Sequence, residues 1–453
     1  MTPRGDSVNL DRWKAYSSYK PSGVEWLGEI PSHWDARRLK HAAPESGWKL
    51  TAKPEGVPFV GLENVEPRTG RLLPGSMIEE VESTVVAFDR GDILFGKLRP
   101  YLAKVVHAQF CGVGSTELLV FRPRDNVDGH FLFYHLLADG FIDNVNGLTY
   151  GAKMPRANAR QVGNLVIMVP PLGEQRAIAT FLDRETARID RLIEKQELLI
   201  ELLAEKRTAL ISHAVTKGLD PNVPMKDSGV EWLGEVPKHW EVKRLKYLVE
   251  NGGNGIKTGP FGSQLTAAEM QGHDVKVYNQ RTVLDRDFSM GDKYVSSAKF
   301  EELASFAVNP GDVLVTTRGT IGHCALVPKW AETGVLHPCL MRVIPDRWKM
   351  ASAYLITLIQ ESNLVQNQLL YMSNATTIEV IYSGTLREVL LPVPPREEQD
   401  AIMQEMSAFT SRVDGLIGMV GSAIDTLREY RTALISAAVT GKIDVRQEVH
   451  HVS

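Results

Sequence analysis

Residues 22–40 read SGVEWLGEIPSHWDARRLK, and nearly the same segment returns at residues 228–246 as SGVEWLGEVPKHWEVKRLK. A second pair of matching segments follows, with MVPPLGEQ at residues 168–175 and PVPPREEQ at residues 392–399. Ordered matches of this length indicate an internal duplication, in which one scaffold is written twice along the chain.

A third matching pair closes each half: RTALISHAVTKGLD at 207–220 and RTALISAAVTGKID at 431–444. The offset grows from 228 − 22 = 206 at the first pair to 431 − 207 = 224 at the third, so the intervening segments differ in length. They also differ in sequence. A repeated scaffold with unlike inserts predicts two different surfaces in a pseudo-twofold arrangement. Neutral drift of an old duplication is the alternative, but both inserts are full-sized and rich in strand signals.

After each Pro-Pro pair the apolar period changes to that of a helix. Pro171 and Pro395 stand just before the two starts, and Gly218 and Gly441 lie just past the ends. Each helix is expected to run about 40 residues, or roughly 60 Å. Such long helices need a partner, and the 4/3 spacing favours helix-on-helix packing over packing on each domain's own core. The predicted seam residues are Ile178, Leu182, Ile189, Leu192, Leu199, Leu203 and Leu210 in the first helix, and Ile402, Met406, Phe409, Val413, Leu416, Val420, Leu427 and Leu434 in the second.

Composition excludes several classes of protein. The 453 residues carry 51 Lys and Arg against 55 Asp and Glu, a formal charge of −4, so the chain does not coat nucleic acid by bulk charge. Without an apolar run long enough to span a bilayer, and with a polar start, it is expected to be soluble, intracellular and without a membrane partner. The three cysteines lack Cys-x-x-Cys spacing, which argues against a disulfide framework or a thiolate zinc site.

The two inserts, at about 42–165 and 248–388, have an α+β pattern with many exposed loops. Each contains a Gly-Asp strand followed by a polar loop, GDILFGKLRPYLAK from Gly91 and GDVLVTTRGTIGH from Gly311. Lys, Arg and Thr on loops suit contacts with phosphates and base edges, although a solvated hairpin is an equal alternative for any single residue. The candidate DNA contacts are Lys97, Arg99, Lys104, Lys153, Arg156, Lys257, Arg281, Thr316, Thr317, Arg318, Thr376 and Thr377.

Catalytic motifs are not found. Gly91 to Lys97 matches G-x-x-x-x-G-K, but Leu98 stands where a Ser or Thr would hold magnesium. The Pro-Pro pairs follow Val rather than Asn or Asp, which argues against an amino-methyltransferase site. The 12 histidines show no metal-ligand spacing. We therefore expect no catalytic residue, no metal and no cofactor in this chain.

The duplicated SGVEWLGE-x-P-x-HW segments, the VPP-x-x-EQ before each long helix and the RTALIS-x-AVT endings resemble the specificity subunits of Type I restriction-modification enzymes. This resemblance covers nearly the whole chain. It implies two target-recognition domains, each reading half of a split DNA sequence, separated by two long antiparallel helices. It also implies that the helices bind two methyltransferase subunits and set the gap between half-sites. Two restriction and translocase subunits are implied as further partners.

In this interpretation S-adenosylmethionine lies on the methyltransferase subunits, which methylate adenine, and ATP and Mg²⁺ lie on the motor-nuclease subunits. The chain itself would be a non-catalytic, cytoplasmic DNA-binding subunit of a bacterium or archaeon. Two alternatives remain: a self-sufficient bipartite methyltransferase or nuclease, and a coiled-coil assembly protein without DNA function. The expected domains are a first recognition domain (1–172), first spacer helix (173–216), linker (217–230), second recognition domain (231–395), second spacer helix (396–438) and C-terminal tail (439–453).

Overall fold

The computed structural model describes residues 12–73, 84–151, 153–250, 255–373 and 380–448. Contacts divide the chain into two compact units. Unit 1 comprises Met1–Glu197 together with Gly421–Ser453, and unit 2 comprises Leu198–Val420. The boundary between the units falls inside the two long helices rather than between helix and insert.

The first half of the chain alternates short strands with short helices and ends in one long helix. Its elements are β1 (Tyr19–Pro21), β2 (Glu29–Pro31), β3 (Asp35–Arg38), α1 (Leu39–Ala42), β4 (Trp48–Leu50), β5 (Phe59–Val60), β6 (Val85–Phe88), β7 (Ile93–Gly96), β8 (Val105–His107), β9 (Gly112–Ser115), β10 (Leu118–Phe121), α2 (Gly129–Leu137), α3 (Asp139–Gly147), α4 (Ala159–Asn164), β11 (Val166–Val169) and α5 (Leu172–Lys217).

The second half also ends in one long helix, and its insert contains more short strands and helices. Its elements are β12 (Met225–Asp227), β13 (Glu235–Pro237), β14 (Glu241–Arg244), β15 (Ile256–Thr258), β16 (Val275–Tyr278), α6 (Gln280–Leu284), β17 (Tyr294–Val295), α7 (Ser297–Glu302), β18 (Ala307–Val308), β19 (Val313–Thr316), β20 (Cys324–Leu326), β21 (Gly334–Leu336), β22 (Leu340–Val343), α8 (Ser352–Ile356), α9 (Leu364–Ser373), α10 (Ser383–Glu388), β23 (Leu390–Val393) and α11 (Arg396–Val439).

The two inserts share the order of three strands in each of two sheets although their sequences differ. In unit 1, β7 lies between β10 and β8, and in unit 2 β19 lies between β22 and β20, all antiparallel. A second sheet in each insert pairs one strand in parallel and another antiparallel on the same central strand, which is β9 in unit 1 and β21 in unit 2. The duplication therefore extends through the inserts, where sequence identity no longer reveals it.

The repeated motifs build the same local scaffold in both units. Strand β3 pairs antiparallel with β11 in unit 1, and β14 pairs with β23 in unit 2. Trp34 and Trp240, from the first repeated motif, are each fully buried in the core of their own unit. Both side chains therefore serve as packing aromatics of the duplicated scaffold.

The long helices have 46 residues in α5 and 44 in α11, or roughly 69 and 66 Å at 1.5 Å per residue. Their ends carry the expected punctuation, because Gly218 and Gly441 adopt positive φ angles of 83° and 74°. Within unit 1 the two helix segments run antiparallel, since Asp190 pairs with Arg431 and the later Glu197 with the earlier Arg428. The expected α+β fold with two long antiparallel helices is confirmed.

The line of buried residues along the helices departs from the predicted seam. Ile178, Leu182 and Ile189 are buried, but Leu192, Leu199 and Leu210 are exposed, and the half-buried or buried positions are Ile193, Ile200 and Ile211. In α11 the line passes through Ile417 rather than the exposed Leu416. The prediction is wrong at these four leucines. At Leu192, Leu199 and Leu416 the prediction placed the next contact three residues after Ile189, Gln196 and Val413, whereas the half-buried residue lies four residues after each. The seven-residue repeat is kept, but the second contact position within each heptad is shifted by one residue.

The remaining predicted seam positions of α11 follow the contact line. Ile402, Met406, Val413 and Leu434 are buried. Phe409, Val420 and Leu427 are half-buried, and so is Leu203 in α5. Leu427 and Leu434 pack in the apolar core of unit 1, and Ile402, Met406 and Phe409 pack in that of unit 2.

Candidate nucleic-acid interface and helix scaffold

In unit 1 the loop after β7 is held against the segment that precedes α4. Leu98 and Arg156 form an isolated β-bridge, and the Ala157 N–H donates to the Lys97 carbonyl at 2.9 Å. Arg99 has a left-handed backbone (φ 49°), and its N–H donates to the Pro155 carbonyl at 2.7 Å. The paired loops present Arg99 and Lys153 as exposed cations on one surface, with Lys97 half-buried beside them.

Two of the predicted cations of unit 1 have partners within the insert. Arg156 donates from Nε and Nη2 to the two carboxylate oxygens of Glu117, at 3.2 and 3.1 Å. Lys104 is half-buried, and its Nζ donates to the Leu62 carbonyl at 2.5 Å. These interactions fix the two loops, so a structural role competes with DNA contact at both positions.

In unit 2 the corresponding loop follows β19. Thr316 and Thr317 are buried, at 0% and 1% exposure. The Thr317 hydroxyl donates to the Cys339 carbonyl at 2.9 Å, and the Thr316 hydroxyl accepts from the His323 N–H at 3.0 Å. The prediction that Thr316 and Thr317 contact DNA is wrong. The strand that follows Gly311-Asp312 stays in the sheet through Thr316, and the chain reaches the surface only after Thr317. The first exposed residue is Arg318.

Of the four remaining candidates of unit 2, two have surroundings that the structure describes. Lys257 on β15 is half-buried, with its Nζ 4.4 Å from the centroid of the Phe306 ring. Arg281 on α6 is exposed but forms an ion pair with Asp285 at 3.0 Å, and it lines a cavity of about 330 Å³. Thr376 and Thr377 lie outside the described residues.

The glutamate and glutamine of the VPP-x-x-EQ motif have roles that the sequence interpretation missed. Glu174 accepts from the indole N–H of Trp34 at 3.1 Å, from the Tyr16 hydroxyl at 2.6 Å, and bonds His33 at 2.8 Å. Gln175 accepts from the Asp128 N–H at 2.8 Å and donates to the carbonyls of Asn126 in the insert and Pro170 before the long helix. These contacts join the first motif, the insert and the long helix.

The equivalent residues make equivalent bonds in unit 2. Glu398 accepts from the Trp240 indole at 3.0 Å and bonds His239 at 2.8 Å, while Gln399 accepts from the Ala351 N–H at 2.8 Å. The signal that could have revealed this network was present in the sequence, because Trp, Glu and Gln recur at matching places of both halves.

The arginine of each RTALIS motif lies on a long helix and contacts the insert of its own unit. Arg431 is buried and pairs with Asp190 at 2.9 Å, and its Nη1 donates to the Arg68 carbonyl of the insert at 2.9 Å. Arg207 pairs with Asp414 at 3.4 Å and with Glu361 of the insert at 3.3 Å. Each arginine therefore ties one insert to the paired helices of its own unit.

Unit 1 also has a titratable cluster between its insert and α5. The rings of His107 and His130 stack edge to face with centroids 4.2 Å apart, and His130 bonds Asp183 at 3.1 Å. Burial, with help from the neighbouring His130, lowers the pKa of His107 to about 4. The hydrogen bond to Asp183 raises the pKa of His130. The opposed shifts favour a neutral His107 beside a charged His130.

Within the described ranges, no helix is both long enough and apolar enough to cross a membrane. In the same residues no group of three or more His, Cys, Asp or Glu side chains is arranged to hold a metal ion.

A duplicated scaffold with two unlike α+β inserts and two long helices is the architecture of one class of DNA-specificity subunit. The family model for the Type I restriction modification DNA specificity domain matches residues 77–202 and 237–416. The chain belongs to this family, whose members are the non-catalytic subunits that supply DNA sequence recognition to type I systems.

Curated relatives extend the similarity over most of the chain. The putative type I restriction enzyme MjaX specificity subunit of Methanocaldococcus jannaschii is 24% identical over 441 residues, covering 93% of this chain and 96% of that protein. The EcoKI specificity subunit of Escherichia coli K12 is 22% identical over 342 residues, covering 74% and 68%.

Solved structures show the same fold. A chain from a study of complex assembly and conformational transition of the type I R-M system superposes with a TM-score of 0.68 at 17% identity, covering 90% of this chain and 98% of that one. The HsdS subunit from Thermoanaerobacter tengcongensis gives a TM-score of 0.51 at 17% identity, covering 91% and 98%.

Proposed function

We propose that this chain recognises a split, asymmetric DNA sequence, with one half-site read by the insert of each unit. The observation that carries the proposal is the repeated loop pair: a loop after β7 or β19, bridged to a second loop before α4 or α10, at equivalent places on unlike surfaces. Arg99 and Lys153 supply exposed positive charge in unit 1, and Arg318 does so in unit 2. Because the side chains on the two loops differ, the two half-sites are expected to differ in sequence.

The functional division of the chain is proposed as two recognition domains, 1–172 and 231–395, and two spacer helices, 173–216 and 396–438, with a linker at 217–230 and a tail at 439–453. In this division the helices set the distance between half-sites. A rigid spacer of roughly 65 Å is long enough to hold two readers about one duplex turn (~35 Å) apart.

The helices also offer a docking surface for a methyltransferase subunit. In unit 2 the Arg207–Asp414 pair fixes the helix register, which places Leu202 opposite Met419. These two side chains are 52% and 63% exposed. An exposed apolar patch on paired helices is typical of a protein interface. The exposed apolar residues of this patch, which we call the leucine face, are Leu198, Leu199, Leu202, Leu416 and Met419.

A second methyltransferase subunit would use the repeat-equivalent face of unit 1, which is more polar and consists of Leu192, Lys195, Ser422, Ala423 and Thr426. S-adenosylmethionine then belongs on the methyltransferase subunits, which extrude the target adenine. ATP and Mg²⁺ belong on two restriction subunits that join the same assembly. A complex that acts on double-stranded chromosomal and phage DNA works in the cytoplasm of a bacterium or archaeon.

Methylome sequencing tests the recognition role. The chain is co-expressed with its neighbouring methyltransferase gene in a host that lacks its own modification systems. We expect a split motif with methyladenine in both halves, which disappears when this chain is omitted. No new methylation, although the methyltransferase subunit is soluble and bound, would contradict the proposed function.

A copurification experiment tests the leucine face. Leu202→Asp with Met419→Asp should abolish capture of the methyltransferase subunit, whereas Glu201→Gln, an exposed change on the same helix, should not. Circular dichroism of both variants controls for folding. Full capture by the double variant would exclude this face as the docking surface.

A further inference from the structure

Arg318 is presented at the surface of unit 2 on a backbone that is held from two sides. The Gln280 amide donates from Nε2 to the carbonyls of Arg318 and Thr320, at 3.0 and 3.3 Å. On the other side the Ile381 N–H donates to the Thr317 carbonyl at 2.9 Å, next to an isolated bridge between Arg318 and Val380. Little backbone freedom remains to be lost when the side chain binds a ligand.

The guanidinium of Arg318 lies over an exposed aromatic ring. Its Cζ atom is 5.5 Å from the centroid of Phe261, whose side chain is 48% exposed. The Phe261 loop is itself tightly placed, because a Cβ at Gly259 would come within 2.2 Å of the His337 carbonyl oxygen. A glycine is needed there for the loop to approach the neighbouring backbone.

Arg318 has no carboxylate within ion-pair distance among the residues that the structure describes, and its exposed guanidinium keeps its donors available. This distinguishes it from two other arginine candidates. Arg156 is neutralised by Glu117 at 3.1 Å, and Arg281 by Asp285 at 3.0 Å. An unpaired arginine on a fixed loop, with its guanidinium 5.5 Å from the centroid of an aromatic ring, is prepared to bind a planar partner with two acceptors.

We propose that Arg318 reads a guanine in the half-site bound by unit 2, with Phe261 holding the guanidinium plane and Gln280 holding the loop. The inference rests on the proposed function and deepens it. Arginine donates two parallel hydrogen bonds to guanine O6 and N7 in the major groove, which no other base offers as a pair of acceptors. The equivalent position of unit 1 is Leu98, the partner of Arg156 in the corresponding bridge, so the contact belongs to one half-site alone.

Methylome sequencing of variants gives the first test. Arg318→Ala should relax the motif at one G·C pair of one half-site and leave the other half unchanged. Arg318→Lys keeps the charge but loses the paired donors, so it should relax the same position. Arg347→Ala is the matched control, because Arg347 is also exposed in unit 2 and lies 4.9 Å over an aromatic ring, that of Trp348. The control should leave the motif intact.

A base-analogue experiment gives the second test, with the purified complex of this chain and its methyltransferase subunit on a duplex carrying the recovered motif. Replacing the identified guanine by 7-deazaguanine removes the N7 acceptor. Either this replacement or Arg318→Ala should weaken binding on the order of 10- to 100-fold. The two changes together should cost little more than one alone, because both remove the same contact.

Other outcomes overturn the inference. Uniform weakening on all sequences, rescued by Arg318→Lys and with a salt slope reduced by about one, would make Arg318 a phosphate contact. A unit 2 half-site without a G·C pair would also contradict it, while leaving the proposed function in place. A wild-type complex that yields no split motif would overturn the proposed function, and this inference with it.

Discussion

Arg431 and Asp190 form a buried ion pair between the two long helices of unit 1, and the repeat-equivalent Arg207 and Asp414 pair between the helices of unit 2. The two arginines are 431 − 207 = 224 residues apart, and the two aspartates are 414 − 190 = 224 residues apart. The two ion pairs are therefore related by the offset of the duplication. Each arginine also reaches into its own insert, through the Arg68 carbonyl in unit 1 and Glu361 in unit 2. The duplicated scaffold therefore fixes each recognition unit on its helices through one arginine.

Replacing Arg431 by alanine should destabilise unit 1 by about 3 kcal/mol, because it leaves the Arg68 carbonyl and part of the Asp190 charge without a donor in a buried site. Urea unfolding measures the loss. Arg428→Ala provides the control on the same helix, since Arg428 forms an exposed pair with Glu197 that should contribute less than about 1 kcal/mol. Equal effects of the two variants would contradict the role given to Arg431.

The two motif glutamates should differ in their contribution to stability. Glu174→Ala removes the acceptor of the Trp34 indole and the Tyr16 hydroxyl in the core. Glu398→Ala removes the acceptor of the Trp240 indole, but the Glu398 carboxylate is more exposed to solvent than that of Glu174. We expect losses of roughly 3 and 1–2 kcal/mol, and a smaller loss for Glu174→Gln, which keeps one acceptor. Thermal unfolding of the three variants provides the comparison, and a larger loss at Glu398 would refute it.

Acid should destabilise unit 1 through His135. This side chain is completely buried, and burial lowers its pKa to about 4 from 6.5 in the unfolded chain. Between these pH values the unfolded state binds more protons, so stability falls as pH falls, by about 2 kcal/mol at pH 5 relative to pH 7.

His135→Phe should reduce this pH dependence of the urea midpoint. The exposed His41→Gln should leave it unchanged. Because His107 and His130 also titrate in unit 1, with pKa shifts of opposite sign, the informative quantity is the difference between variant and wild type. An identical acid profile for His135→Phe would rule out this source of destabilisation.

The shifted seam can be tested with neighbouring residues. Ile193→Ala should cost about 1–2 kcal/mol, because Ile193 packs against the core of unit 1. Leu192→Ala should cost less than about 0.5 kcal/mol, since Leu192 is 40% exposed. A larger loss of stability for Leu192→Ala than for Ile193→Ala, measured by urea unfolding, would support the seam predicted from the sequence.

Inserting one heptad at matching positions of both helices tests the spacer role. Seven helical residues add about 10.5 Å, which corresponds to about three base pairs at 3.4 Å each. The methylated motif should keep both half-sites and gain about three base pairs between them. An unchanged gap would show that the helices do not set the spacing.

Much of the candidate site could be predicted at the level of segments, but little at the level of side chains. The Gly-Asp strands and their loops were found because an apolar strand run followed by Lys, Arg and Thr is a local signal. Thr316 and Thr317 failed because the point at which a strand leaves the sheet depends on its neighbours, here β22 and the loop around Cys339. Phe261 and Gln280 had no local signal, since their roles come from contacts with a residue far along the chain.

The sequence by itself determined the duplication, the two long helices and the family, because these follow from repeated motifs and from local periodicity. Only the tertiary structure decided that the unlike inserts share the order of three strands in each sheet, that the helix seam passes through Ile193 and Ile417, and that Arg431 and Arg207 anchor the inserts. Strand pairing, helix packing and ion pairs join residues that are distant in sequence. Local patterns specify which elements form, whereas the packing between elements specifies which side chains are left at the surface to meet DNA.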